Sequence, residues 1–248
     1  MSSSTSNILS NSSPYAWWKL LAFLLLGYAG TMGFLGHVPR LGILNETIRN
    51  LYFHVPMWFA MTLFLLIAFV YSILYLRSGS LKDDRMAVEF TRTGMVFGIL
   101  GLLTGMMWAK FTWGAFWTKD PKLNAAAIAM LFYTGYMILR DTISDEDKKA
   151  KVTAVLNVFA FPLFMVLIYV MPRMTDSLHP GNGGNPGFNI YDRNREMNAI
   201  FYSSIIGFML LGLWITSLRI RLRMIADKKD GLYIDTTTTH VSEKYLDA

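Results

Sequence analysis

The chain has 248 residues, of which 53% are hydrophobic and only 16% charged, and it contains no cysteine. A water-soluble globule does not carry that balance, and the missing thiols exclude disulfides, iron–sulfur ligation, thiolate nucleophiles and a cofactor attached through C-x-x-C-H. The formal net charge of +6 reads as anchoring of loops at one membrane surface, so the expected partner is the lipid bilayer and not nucleic acid.

Residues 1–16 are rich in Ser and Asn, and the first basic residue is Lys19. They read as a polar tail without the positive n-region of a signal peptide, and the first apolar run is expected to be retained. Six runs then approach or exceed the roughly 20 helical residues that a hydrocarbon core requires: 17–36, 51–76, 93–109, 124–140, 154–172 and 199–219. The expected fold is therefore an all-α integral membrane protein, a bundle of six transmembrane helices over 17–220, followed by a cytoplasmic tail over 221–248. The first run carries Gly27, Gly30, Gly33 and Gly36, and the third carries Gly94, Gly98, Gly101 and Gly105. Both sets read as surfaces for tight helix packing. The second run is too long for a perpendicular crossing. Counting about 20 residues, or about 30 Å, back from Arg77 reaches Met57 and leaves His54 about one turn beyond the hydrocarbon edge. No internal repeat suggests a transporter built from two halves.

The connections 77–92, 140–151 and 219–248 hold fourteen Lys and Arg, and Lys19 makes fifteen on that side, against eight in 37–50, 110–123 and 173–198. This asymmetry predicts both termini in the cytoplasm and the second set of connections facing outward, to the periplasm if the cell is bacterial. His54, the stretch Trp113–Leu123 and His179 all fall on that outer face.

Away from their ends, runs one and three to six contain no Asp, Glu, Lys, Arg or His, with Asn157 the most polar exception. That argues against a proton-coupled pump or an ion channel. The candidate chemistry lies at the outer face instead. His54, in Tyr52-Phe-His-Val-Pro56, and His179, in a loop broken by Pro172, Pro180 and the Gly-rich run 181–187, each have an ordinary structural reading. As a pair on one face, two imidazoles match the two axial positions of a porphyrin iron. Between them lie Trp108, Phe111, Trp113, Phe116 and Trp117, of which 113, 116 and 117 would line one face of a short interfacial helix. An aromatic belt accounts for Tyr15, Trp17 and Trp18 at the other face. It accounts less well for 113–123, where Gly114 separates the rings and Asp120-Pro121 ends the stretch; a platform for a flat apolar ligand is the competing reading.

Other residues are secondary. His37 is a spare outward imidazole, and His240 lies in a polar tail beside Thr236 to Thr239. The sixteen methionines read mostly as packing residues that fill irregular gaps, with iron ligation by Met57 or Met174 near the outer edge the lesser alternative. Arg40, Arg49, Arg173, Arg193 and Arg195 are outward cations suited to carboxylates. Arg219-Ile-Arg-Leu-Arg223 reads as a lipid anchor.

The stretch Trp113-Gly-Ala-Phe-Trp-Thr-Lys-Asp-Pro-Lys122 resembles the tryptophan-rich WWD signature of the haem-handling membrane proteins of cytochrome c maturation. With six spans and a histidine on either side of the signature, the chain is most similar to the CcmC branch, with the larger CcsA branch as cousin, from Trp17 to about Arg223. The resemblance implies non-covalent haem b with its iron between His54 and His179, and a porphyrin supported by Trp113, Gly114, Phe116, Trp117 and Asp120. It implies binding and transfer rather than enzymatic catalysis: haem passes to a periplasmic haem chaperone (CcmE-like), with ABC-type transporter subunits and a small helper membrane protein as further partners. Two positions depart from the signature. Phe116 replaces the usual second aromatic and keeps a stacking face; Lys119 replaces the Trp before the aspartate, so that either its ammonium pairs with a haem propionate or the stretch serves a different acceptor. Asp120 is expected to cap or pair locally, for example with Lys122, rather than touch iron. Two other classes compete: a small-molecule permease with a midplane site, and a structural subunit whose Trp-rich loop docks a partner without haem.

Overall fold

The computed structural model describes residues 16–40, 44–179, 194–229 and 231. Tyr15, Pro180, the Gly-rich run 181–187, Arg193 and His240 lie outside the described residues. Six helices are long and apolar enough to cross a membrane, and no strand occurs among the described residues. They are α1 (Trp17–Leu35), α2 (Leu51–Ser78), α3 (Leu81–Trp113), α4 (Pro121–Thr142), α5 (Glu146–Met165) and α6 (Arg195–Lys229). A 3-10 helix, Asn45–Asn50, runs directly into α2. Beyond Pro162, which cannot donate to the helical ladder, α5 widens into a π turn at Val166–Val170 and ends in a short 3-10 segment at Met171–Arg173.

All six expected helices are present, but three extend well beyond their apolar runs at one end. α3 begins at 81 rather than 93, α5 at 146 rather than 154, and α6 continues to 229 rather than 219. The added turns are charged, so a hydropathy reading ends before them. The structure buries those charges in pairs. Arg140 of α4 grips Asp84 of α3 with two nitrogens, at 2.8 and 2.5 Å, and also donates to Thr153 Oγ1 of α5 at 2.6 Å. Arg85 reaches Asp227 of α6 and Glu146 of α5, both at 2.9 Å. Glu89 accepts from Arg92 at 2.6 Å and Arg219 at 2.7 Å. Asp84, Arg85, Arg140 and Asp227 are each no more than 3% exposed. An unpaired charge at such depth is costly, whereas a saturated pair nearly breaks even, so the network ties four helices together at one end of the bundle.

α2 is the central helix. It packs along α3 and also against α5 and α6, while α1 lies on α6 and α4 mainly on α5. The α2–α3 seam depends on missing side chains in α3. A Cβ at Gly98 would lie 2.7 Å from Met61 Sδ and 2.5 Å from Met130 Sδ, so this glycine admits a methionine from α2 and another from α4. Phe64, Phe90, Phe97, Phe161 and Phe164 fill the core around that contact. The glycine stripe is thus a packing surface, as its spacing predicts.

Candidate functional site

The Trp-rich segment does not form the expected interfacial helix. Trp113 is the last residue of α3, and Gly114 ends the helix with φ +83°, a left-handed conformation that glycine adopts without a Cβ penalty. The three aromatic side chains therefore do not share a helical face. Lys110 Nζ donates to the Gly114 carbonyl at 3.0 Å and lies 5.8 Å from the centre of the Phe116 ring. Trp117 Nε1 donates to Asn124 Oδ1 of α4 at 3.1 Å. Phe116 and Trp117 remain 53% and 44% exposed. The segment is pinned to α3 at one end and to α4 at the other, with two rings open to the surroundings.

Asp120 ends the segment and caps α4. Its Oδ1 accepts from the backbone N–H of Lys122 at 2.9 Å and of Leu123 at 3.2 Å, with Pro121 at the first helical position, where no donor is needed. The expectation of a local cap holds; the bond is to the backbone of Lys122 and not to its ammonium. Its second role was invisible from local pattern. Asp120 Oδ2 accepts from Ser177 Oγ at 2.8 Å and Leu178 N at 2.7 Å, and Oδ1 lies 2.8 Å from His179 Nδ1. Burial pushes the Asp120 carboxyl up, but the hydrogen bonds from His179, Ser177 and Leu178 outweigh it and hold the group well below the usual carboxylate range. The side chain is fully buried behind His179.

His179 is further fixed by its backbone N–H, which donates to Ser177 Oγ at 3.1 Å, and by Trp113, whose ring meets the imidazole edge-on at 4.7 Å between centroids. Trp113 is therefore the aromatic member of the signature that the structure brings to a histidine, alongside Asp120. Among the described residues, Phe116 and Trp117 make no ring contact with either imidazole.

His54 stands in the first turn of α2. Its entry is set by the 3-10 helix before it: Asn50 Nδ2 donates to the Thr104 carbonyl of α3 at 2.9 Å, and Trp108 Nε1 of α3 donates to Thr47 Oγ1 at 3.2 Å. His54 Nδ1 lies 2.9 Å from the Gly101 carbonyl and 3.2 Å from Thr104 Oγ1. A carbonyl only accepts, so the proton resides on Nδ1. Trp58 and Trp108 approach edge-on at 6.3 and 5.9 Å. Trp58 escaped the sequence reading although it lies four residues from His54, on the same helical face. Gly101 and Thr104 could not be found that way, because their contact with His54 crosses between helices.

The two imidazoles lie within electrostatic reach of each other, and His54 is also within reach of Lys122. Each histidine has Nδ1 engaged and Nε2 free of any hydrogen bond among the described residues. This donor set suits a metal that brings its own equatorial ligands: among the described residues, no cluster of three His, Asp or Glu could hold a bare ion. The remaining candidates lie apart or are occupied. Arg49 donates to Glu46 and to the Gly33 and Gly36 carbonyls at the end of α1. His37, Arg40, Lys119, Met174 and Arg195 are exposed, and Met57 is buried in the core.

Known proteins share this arrangement's sequence. A family profile described as heme exporter protein C (CcmC) matches residues 2–234. The chain is 27% identical over 222 residues to the heme exporter protein C of Rhodobacter capsulatus, covering 87% of this chain and 88% of that one. It is 28% identical over 183 residues to that of Paracoccus denitrificans, covering 71% and 73%. A shorter likeness, 33% over 88 residues, joins it to the cytochrome c biogenesis protein CcsA of Pelargonium hortorum, over 35% of this chain and 28% of that one. With a profile spanning nearly its whole length and relatives matched over most of theirs, the chain belongs to the heme exporter protein C family.

Proposed function

We propose that this protein handles haem in cytochrome c biogenesis by binding haem b non-covalently between His54 and His179. The observation that carries the reading is the shared state of the two imidazoles: both Nδ1 atoms are tied down, by the Gly101 carbonyl and by Asp120, which leaves both Nε2 atoms as lone-pair donors. When bound, haem supplies an iron with two axial vacancies and two carboxylates at its edge. Trp113, Trp58 and Trp108 give the ligand apolar walls beside the histidines. Lys122 is half-buried and pairs with no carboxylate among the described residues, and Arg173 lies close enough to Lys122 to interact electrostatically. Arg173 donates to the Tyr169 carbonyl but, like Lys122, meets no carboxylate among the described residues, so these two cations suit the haem propionates better than Arg49, which is paired with Glu46. Phe116 and Trp117, exposed on a pinned segment, suit the outward face of the porphyrin or its acceptor.

The protein's part is to bind, orient and release, with no bond in haem made or broken. His54 sits on a helix and His179 on a loop, so His179 is the ligand suited to let go when haem passes to a haem chaperone on the periplasmic side. The charge asymmetry supports an inner-membrane orientation with both termini cytoplasmic, and the family's setting supports ABC-type transporter subunits and a small helper membrane protein as partners. Haem per folded protein tests the reading. His54→Ala and His179→Ala are each expected to reach the membrane at normal abundance but lose most of their haem. Full haem in the double variant would end the axial-pair reading.

A further inference from the structure

The His54 ring is shaped by α3 on more than one edge. A Cβ at Gly105 would lie 2.7 Å from Cε1, 3.2 Å from Nδ1 and 3.6 Å from Nε2, so the imidazole rests against bare backbone where any side chain would displace it. One turn earlier, Gly101 serves twice. Its carbonyl faces Nδ1 at 2.9 Å, and the space beside its Cα is filled by Trp58, whose Nε1 and Cε2 would lie 3.1 Å from an added Cβ. Thr104 stands between the two glycines. Its hydroxyl lies 3.2 Å from Nδ1 and is held by the Leu100 and Gly101 carbonyls at 2.8 and 3.0 Å. Its own carbonyl receives Asn50 from the turn that launches α2. The helix that carries His54 and the helix that receives its ring are thus locked in register at that residue.

We propose that the turn Gly101–Gly105 of α3 is a socket that positions His54, fixing the proton on Nδ1 and the direction in which Nε2 points. None of Gly101, Thr104 and Gly105 need touch haem; they act through the imidazole, as an outer-shell partner orients a metal ligand. The inference rests on the haem reading above and adds to it the residues that set one ligand's geometry. It also gives the last two glycines of the stripe a role distinct from that of Gly98, which receives methionines. The two sides of the site then differ in kind. His54 is oriented by a neutral backbone carbonyl and the absence of a side chain, His179 by a buried carboxylate.

The test uses the full-length protein purified in detergent. His54→Gly opens a hole over Gly105, and imidazole or 1-methylimidazole is added together with haem. Both bind iron through an unsubstituted ring nitrogen, but only imidazole keeps an N–H for the Gly101 carbonyl. After correction for their binding to free haem, imidazole is expected to restore the six-coordinate low-spin spectrum at about tenfold lower concentration than 1-methylimidazole. In parallel, Gly105→Ala is expected to retain several-fold less haem and to shift the spectrum, and Gly27→Ala, whose Cβ meets nothing within 4 Å, to match the parent. Equal rescue by the two bases, or rescue by neither, overturns the socket, as does a folded Gly105→Ala protein with unchanged haem and spectrum. If Gly105→Ala fails to fold, the comparison of the two bases decides alone. Full haem and a parental spectrum in His54→Gly without added base would overturn the haem-ligand reading itself, and the socket with it.

Discussion

Asp120 joins three parts of the molecule through one carboxylate: the first turn of α4, the Ser177–Leu178 backbone and the His179 imidazole. Asp120→Ala is expected to lose the cap, at about 1 kcal/mol, and also the orientation of His179, lowering haem affinity about 10–100-fold. Asp120→Asn keeps a capping oxygen, so it should recover most of the stability but less of the affinity; titration of the purified variants with haem separates the two losses. Because the folded carboxyl is held below its unfolded value, its stabilising contribution is complete above the unfolded value of about pH 4 and falls as pH drops further. Thermal unfolding of the haem-free protein should show that acid decline in the parent and a flatter profile in Asp120→Asn. Trp113 offers a second contrast. It touches His179, whereas Phe116 and Trp117 stand exposed. Trp113→Ala should reduce haem per folded protein even when Trp117 is intact, by the several-fold that roughly 1 kcal/mol of ring contact implies. An unchanged ratio would remove Trp113 from the site.

At the scale of helices, the buried ion network at the end of the bundle away from the histidines makes a strong claim about stability. Asp84→Ala leaves Arg140 buried without its carboxylate, at an expected cost of about 3–5 kcal/mol, readable as a large drop in unfolding temperature in detergent. Lys148→Ala, at an exposed position, should change little. The same network explains which parts of the helices were legible. Apolar runs located all six helices, because lipid-facing and core-facing residues are both hydrophobic. The charged turns at the starts of α3 and α5 and the end of α6 looked like loops, since a linear reading cannot see that Asp84 meets Arg140 or that Arg85 meets Asp227. The site divides in the same way. His54 and His179 stood out because they flank the Trp-rich stretch at one face, and the Asp120 cap followed from Asp-Pro preceding an apolar run. The expected helix through Trp113, Phe116 and Trp117 failed at Gly114, whose left-handed φ interrupts the period on which that reading relied. Nothing local to Gly101, Thr104 or Gly105 announces a histidine 47 to 51 positions away in sequence.

In the whole molecule, the histidine end and the ion-network end are opposite ends of one bundle with α2 at its centre. The histidine end gathers His54, His179, Trp58, Trp108 and Trp113, with Lys122 paired to no carboxylate among the described residues; the other end is locked by saturated charge pairs. A reporter fused after Ala248 is expected to be active only in the cytoplasm, placing the network inside and the histidines outside. Activity in the periplasm would reverse that orientation while leaving the internal geometry intact. The measurement that bears most directly on the central claim is the spectrum of the purified ferric haem complex. Ligation by His54 and His179 predicts a six-coordinate low-spin signature in the parent, conversion to a high-spin species in either His54→Ala or His179→Ala, and no stable Soret band in the double variant. A low-spin parental spectrum persisting in the double variant would contradict the account.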